Sequence, residues 1–219
     1  MKLLISLVVA ATFLLSAAPS ARAERPSDTS LVLAGMGMGV PTYWAWVVIH
    51  EGSHAVMAKA FGAEIIKFQI WPGRHPTNKK FYFGYVQWRG KMSTWQRLLA
   101  GLAPKIPNLL YLGTYAALVG FDSLPKNRYA QLGFSVFATG ALLDFTKDLI
   151  AFWTPADVNV ALRRAGLRTF VSQLPWRILH MGLAAGAGYA LFKGYERVFE
   201  DEPTGAVPRT IVPLMNGRF

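Results

Sequence analysis

Apolar residues in this chain fall into long blocks separated by short basic or acidic connections, not into a soluble protein's alternation of faces. After an apolar leader, four blocks run over about residues 31–61, 95–121, 129–153 and 176–192. A helix needs about 20 apolar residues to cross ~30 Å of hydrocarbon, and three blocks exceed that length while the fourth is near its lower limit. The pattern therefore predicts an all-α polytopic membrane protein built as a four-transmembrane-helix bundle. In the first block Gly35, Gly37, Gly39 and Pro41 interrupt the early part. Pro41 suits a first helical turn and Gly62 a C-terminal cap, so regular helix is expected over 41–61.

Between the first two blocks the period changes. Ile66, Phe68 and Ile70 alternate with Lys67 and Gln69, and Phe81, Phe83 and Tyr85 resume a period of two after the turn residues Pro72-Gly73 and Pro76-Thr77-Asn78. This predicts a small β-hairpin over about 64–89, lying at the membrane face. One edge of it is a candidate for pairing with an extended substrate strand.

Composition agrees with a membrane setting. Of the 219 residues 53% are hydrophobic and 16% charged, and mean hydropathy is +0.27; a soluble domain carries about 25% charge. The net charge of +11 is spread between apolar blocks and not gathered in one stripe, which argues against nucleic acid as a partner. There is no cysteine, so disulfides and thiolate metal sites are excluded.

Lys2, the apolar run Leu3 to Leu15 and Ala21-Arg22-Ala23 have the form of a signal peptide over 1–23. The connection after the first block carries Lys67, Arg74, Lys79, Lys80, Arg89, Lys91 and Arg97, and the one before the fourth carries Arg163, Arg164, Arg168 and Arg177. The acidic run Glu200-Asp201-Glu202 opens a C-terminal tail over 200–219. By the positive-inside rule the basic loops face the cytoplasm and both mature termini lie outside, in what is expected to be a bacterial inner membrane.

The chemistry concentrates at His50-Glu51-Gly52-Ser53-His54. Two histidines four apart share a helix face and can share a Zn²⁺ ion, with Glu51 beside them as general base. A catalytic zinc takes a third protein ligand and keeps one position open. Nine of the twelve acidic residues lie in loops, tails or connections; Glu51, Asp144 and Asp148 fall inside apolar blocks. Asp144 and Asp148, also four apart, are the candidate third ligands, with Lys147 placed to pair with either or to reach the interface. His75, in the hairpin, and His180, beside a run of small residues, are lesser candidates.

With these residues in view the chain resembles the site-2 protease family of intramembrane zinc metalloproteases. The resemblance covers about 40–155 and rests on His50-Glu51-Gly52-Ser53-His54-Ala55 with Ala58 and Gly62, on the hairpin, and on Leu143-Asp144-Phe145, where Phe145 replaces the family's glycine. Ala103-Pro104-Lys105-Ile106-Pro107-Asn108 is similar to a Gly-Pro-x-x-Asn element one residue longer. The family likeness implies a zinc endopeptidase that cuts a transmembrane protein substrate in or near the bilayer, among membrane lipids. His50, His54 and Asp144 are then the metal ligands, Glu51 the base and Asn108 a donor to substrate or oxyanion, with the site open toward the cytoplasm. Other readings of the same residues are a non-catalytic membrane adaptor on the same scaffold and a zinc hydrolase of a lipid or small amide.

Overall fold

The computed structural model describes residues 26–75, 79, 81–150 and 156–200. The expected signal peptide over 1–23 and the tail from 201 lie outside the described residues. The first helix, α1, runs unbroken over Asp28–Ala60. Ser27 caps it, its hydroxyl accepting from the Ser30 backbone N–H at 3.2 Å. Pro41 lies inside the helix and does not begin it, so the expected start at 41 is corrected. At the other end Gly62 adopts φ +80°, and the Gly62 and Ala63 N–H groups bond the carbonyls of Lys59 and Ala58, each at 3.0 Å. That is a Schellman closure, which stops the helix six residues after His54.

The chain then forms two two-stranded antiparallel sheets. β1 (Glu64–Gln69) pairs with β4 (Tyr85–Arg89), Phe68 opposite Val86, with an irregularity between Ile65 and Lys67. Nested within this pair, β2 (Gly73–Arg74) faces β3 (Phe81–Tyr82). Gly84, just before β4, sits against α1. A Cβ there would lie 3.1 Å from the Glu51 Cγ and 3.1 Å from the Gln69 carbonyl, so only glycine lets the strand come this near the helix.

Five further helices follow among the described residues: α2 (Thr94–Leu102), α3 (Lys105–Gly120), α4 (Arg128–Ile150), α5 (Asp157–Arg164) and α6 (Phe170–Phe199). α1 and α6 both pack along α4, α3 fits between α4 and α6, and α2 joins α5 to the C-terminal end of α1. The main core gathers Trp46, Leu112, Tyr115, Ala138, Ala141 and Phe145. Trp46 donates its indole N–H to the Phe137 carbonyl at 2.9 Å. A Cβ on Gly140 would overlap the Trp46 ring and come within 2.8 Å of the Thr42 Cγ2. The missing side chain at 140 therefore lets α4 close on α1. One turn further along the same two faces, His50 meets Asp144.

The expectation of four transmembrane spans is corrected. Among the described residues one helix, Asp28–Ala60, is long and apolar enough to cross a membrane. The block expected over 95–121 is split at Ala103-Pro104 into α2 and α3, and α3 at 16 residues rises only ~24 Å. α4 is diluted by Gln131, Ser135, Thr139, Asp144, Lys147 and Asp148. The expected span over 176–192 is the middle of a 30-residue helix that also carries Gln173, Arg177, Lys193 and Glu196. The described residues are thus mainly helical, with one candidate membrane helix and two small sheets.

Candidate metal centre

On α1 the spacing of four brings the His50 and His54 rings to 5.0 Å between centroids, nearly perpendicular, and both residues are buried. Each ring is fixed through its Nδ1. His54 Nδ1 lies 2.7 Å from the Ala100 carbonyl oxygen on α2, and His50 Nδ1 lies 2.9 Å from Asp144 Oδ2 on α4. Both partners only accept, so the Nδ1 atoms carry the protons and the Nε2 lone pairs are left for a ligand.

The acid that meets those lone pairs is Asp157. Its Oδ2 is 3.2 Å from His50 Nε2 and 3.5 Å from His54 Nε2. Ligand atoms ~2.1 Å from a tetrahedral ion stand roughly 3.4 Å apart, so these spacings suit a metal held by all three. Among the described residues His50, His54 and Asp157 form the group able to hold an ion, their ligand atoms all within 4.8 Å of one another. Without a metal the Nε2 atoms can each carry a proton. Burial pushes the Asp157 carboxyl up, but the hydrogen bonds that His50 and His54 then donate outweigh that and hold it well below the usual carboxylate range. A bound ion takes the place of those protons. Its place in the first turn of α5 also favours the anion, because the N-terminal amides there carry partial positive charge. Packing of α5 on α2 joins the carbonyl that orients His54 to the carboxylate that meets it.

Asp144, expected as third ligand, lies behind His50 and not beside Asp157. Its Oδ2 accepts from His50 and from the Asn108 amide at 2.7 Å, and its Oδ1 pairs with Lys147 Nζ at 2.9 Å. The alternative, Asp148, is fully buried and faces Lys105 Nζ at 2.7 Å, a charge pair without hydrogen-bond alignment. Lys105 also donates to the Asp144 carbonyl at 2.9 Å. Asn108 is completely buried, with one amide N–H given to Asp144; the structure places it as a support of that carboxylate. The two lesser histidines stand apart: His75 bonds Gln87, and His180 donates to the Phe145 carbonyl at 2.9 Å.

Sequence reasoning missed Asp157 because it required the third ligand to lie inside an apolar block. One signal was available: Asp157 is the only acidic residue between Asp148 and Glu196, set in a connection that is otherwise basic.

The centre opens on a cavity of about 1100 Å³ that runs along α1 between the sheet and α4. Glu51 lines it next to His50, with Tyr85 and Trp88 on the strand side; Trp88 stands 6.1 Å from the His54 ring. Two imidazoles, a carboxylate and an adjacent glutamate on one cavity wall are the parts that hydrolysis at a Lewis-acid centre requires. No family model, curated protein or solved structure matches this chain.

Proposed function

We propose that the protein is a membrane-embedded zinc endopeptidase, similar in its chemistry to the site-2 proteases, that hydrolyses a peptide bond in or near a transmembrane segment of a protein substrate. The observation that carries this reading is the convergence of His50 Nε2, His54 Nε2 and the Asp157 carboxylate beside Glu51 on the wall of a largely apolar cavity. Those three residues would hold the ion. When bound, zinc supplies Lewis acidity toward a carbonyl oxygen and toward water. Glu51 takes a proton from the attacking water on its carboxylate and delivers it to the departing amine nitrogen. Asp144 and the Ala100 carbonyl keep the two imidazoles turned so that their Nε2 atoms face the site.

A bilayer setting is supported by α1 and by the large apolar side chains exposed on α1, α3 and α6, among them Leu33, Met36, Leu110, Ile178 and Phe192. The basic residues that follow α1, including Lys67 and Arg74, favour a cytoplasmic side for the histidine end of that helix. The membrane would be the bacterial inner membrane.

Glu51→Gln tests the assignment in proteoliposomes carrying a transmembrane reporter. Metal content is expected to stay at the wild-type level while cleavage falls by about 10²–10⁴. Wild-type turnover in the variant would falsify the assignment. An uncut membrane protein that co-purifies with wild type and Glu51→Gln alike points to an adaptor.

A further inference from the structure

Peptide hydrolysis needs a donor for the negative charge that develops on the carbonyl oxygen, and Asn108 is too deeply buried to reach it. Resting on the proposed hydrolase, we propose that Lys147 is the anion-binding side chain of this centre and stabilises the tetrahedral oxyanion.

Four observations converge on it. Lys147 lines the cavity with His50, Glu51, His54 and Asp157. Its side chain is 46% exposed, against 13% for Asp144 beneath it, so the ammonium lies at the open surface of the network. Nζ stands 3.2 Å from His50 Nε2 and 3.3 Å from Nδ1. These distances place the ammonium against the same imidazole whose Nε2 faces the site, within reach of anything bound there. Finally, Asp144 Oδ1 anchors the ammonium at 2.9 Å. Of its three N–H groups one is used there, one reaches the His50 ring and is released when Nε2 ligates an ion, and one is left for the cavity.

In the reaction, water oxygen bonds to the carbonyl carbon as Glu51 removes its proton. The carbonyl π pair moves onto oxygen, where Lys147 N–H groups meet the new charge. Collapse re-forms the carbonyl, breaks the C–N bond and sends the Glu51 proton to nitrogen. Lys147 gains and loses no proton. A charge held in place before the reaction stabilises the transition state more than the uncharged carbonyl, so its removal lowers kcat more than it raises KM.

The test uses the full-length protein in detergent, loaded with Co²⁺ so that ligand binding changes its visible spectrum, and titrated with a phosphinic dipeptide, a stable tetrahedral anion. Wild type, Lys147→Met and Lys147→Arg are expected to bind equal amounts of cobalt. The phosphinate Kd is expected to rise roughly 10- to 100-fold in Lys147→Met and only a few-fold in Lys147→Arg, with reporter kcat falling about 10²-fold or more in the Met variant. Unchanged phosphinate affinity in cobalt-loaded Lys147→Met overturns the proposal. So does loss of cobalt from that variant, which assigns the lysine to holding Asp144 and His50 in place. Wild type that takes up no cobalt removes the metal centre and this role together. Wild type that shows the charge-dependent phosphinate binding yet cuts no membrane substrate upholds Lys147 while removing the protease reading.

Discussion

Exchanging each of two aspartates for asparagine separates the acid that would bind the ion from the acid that orients a histidine. A four-ligand structural zinc site is worth about 10–16 kcal/mol, or roughly 2.5–4 kcal/mol per ligand. Asp157→Asn removes the carboxylate 3.2 and 3.5 Å from the two Nε2 atoms, so zinc affinity should fall by about 10²–10³. Asp144→Asn keeps an oxygen able to accept from His50 Nδ1 at the observed 2.9 Å. Its effect should stay within the ~10- to 100-fold typical of residues behind a ligand, and toward the low end. Competition against a zinc-binding indicator in detergent measures both, and circular dichroism confirms that each variant keeps its helices. A larger loss in Asp144→Asn than in Asp157→Asn refutes the reasoning and returns Asp144 to the role expected from sequence.

Three further outcomes are expected. Lys105→Met leaves Asp148 charged, fully buried and without its partner, at a cost of about 3–5 kcal/mol in denaturant unfolding; Lys105→Met with Asp148→Leu should recover most of it. Gly140→Val forces a side chain into Trp46 and Thr42; about 1–3 kcal/mol of stability should be lost, together with zinc affinity, because α1 and α4 no longer bring His50 to Asp144. In metal-free protein Asp157 has a depressed carboxyl pKa. Its stabilising contribution is therefore complete above the unfolded carboxylate value of ~3.9 and disappears as pH falls through the folded one. The gap in melting temperature between wild type and Asp157→Asn should accordingly be widest above about pH 4 and close toward stronger acid.

What the sequence made legible was local. The i, i+4 histidines with Glu51 between them, the Gly62 stop and the period-two run of Ile66 and Phe68 in β1 all depend on residues within one turn or one strand. Phe81, Phe83 and Tyr85, by contrast, are divided among β3, a bend and the start of β4. Breakers misled where context outweighed propensity: three glycines and Pro41 lie within a continuous α1, as apolar helices permit. The count of spans failed because block length ignores polar residues that point inward. Asp144, Asp148, Ser135 and Thr139 on α4 all bond within the protein. The third member of the metal group was out of reach for a different reason: Asp157 meets His50 only because α5 docks on α2, a contact between distant segments that no local pattern encodes.

That distance along the chain fixes an order of events during synthesis. The two imidazoles of α1 leave the ribosome more than a hundred residues before Asp157 does. Until then the nascent chain offers a pair of nitrogens, too few to retain an ion firmly, and neither Ala100 nor Asp144 is yet placed to orient them. Helix α1 is therefore made well before the three-residue group is complete. A chain cut short anywhere before residue 157 lacks the carboxylate of that group, so under the proposed function an unfinished copy has no complete metal centre.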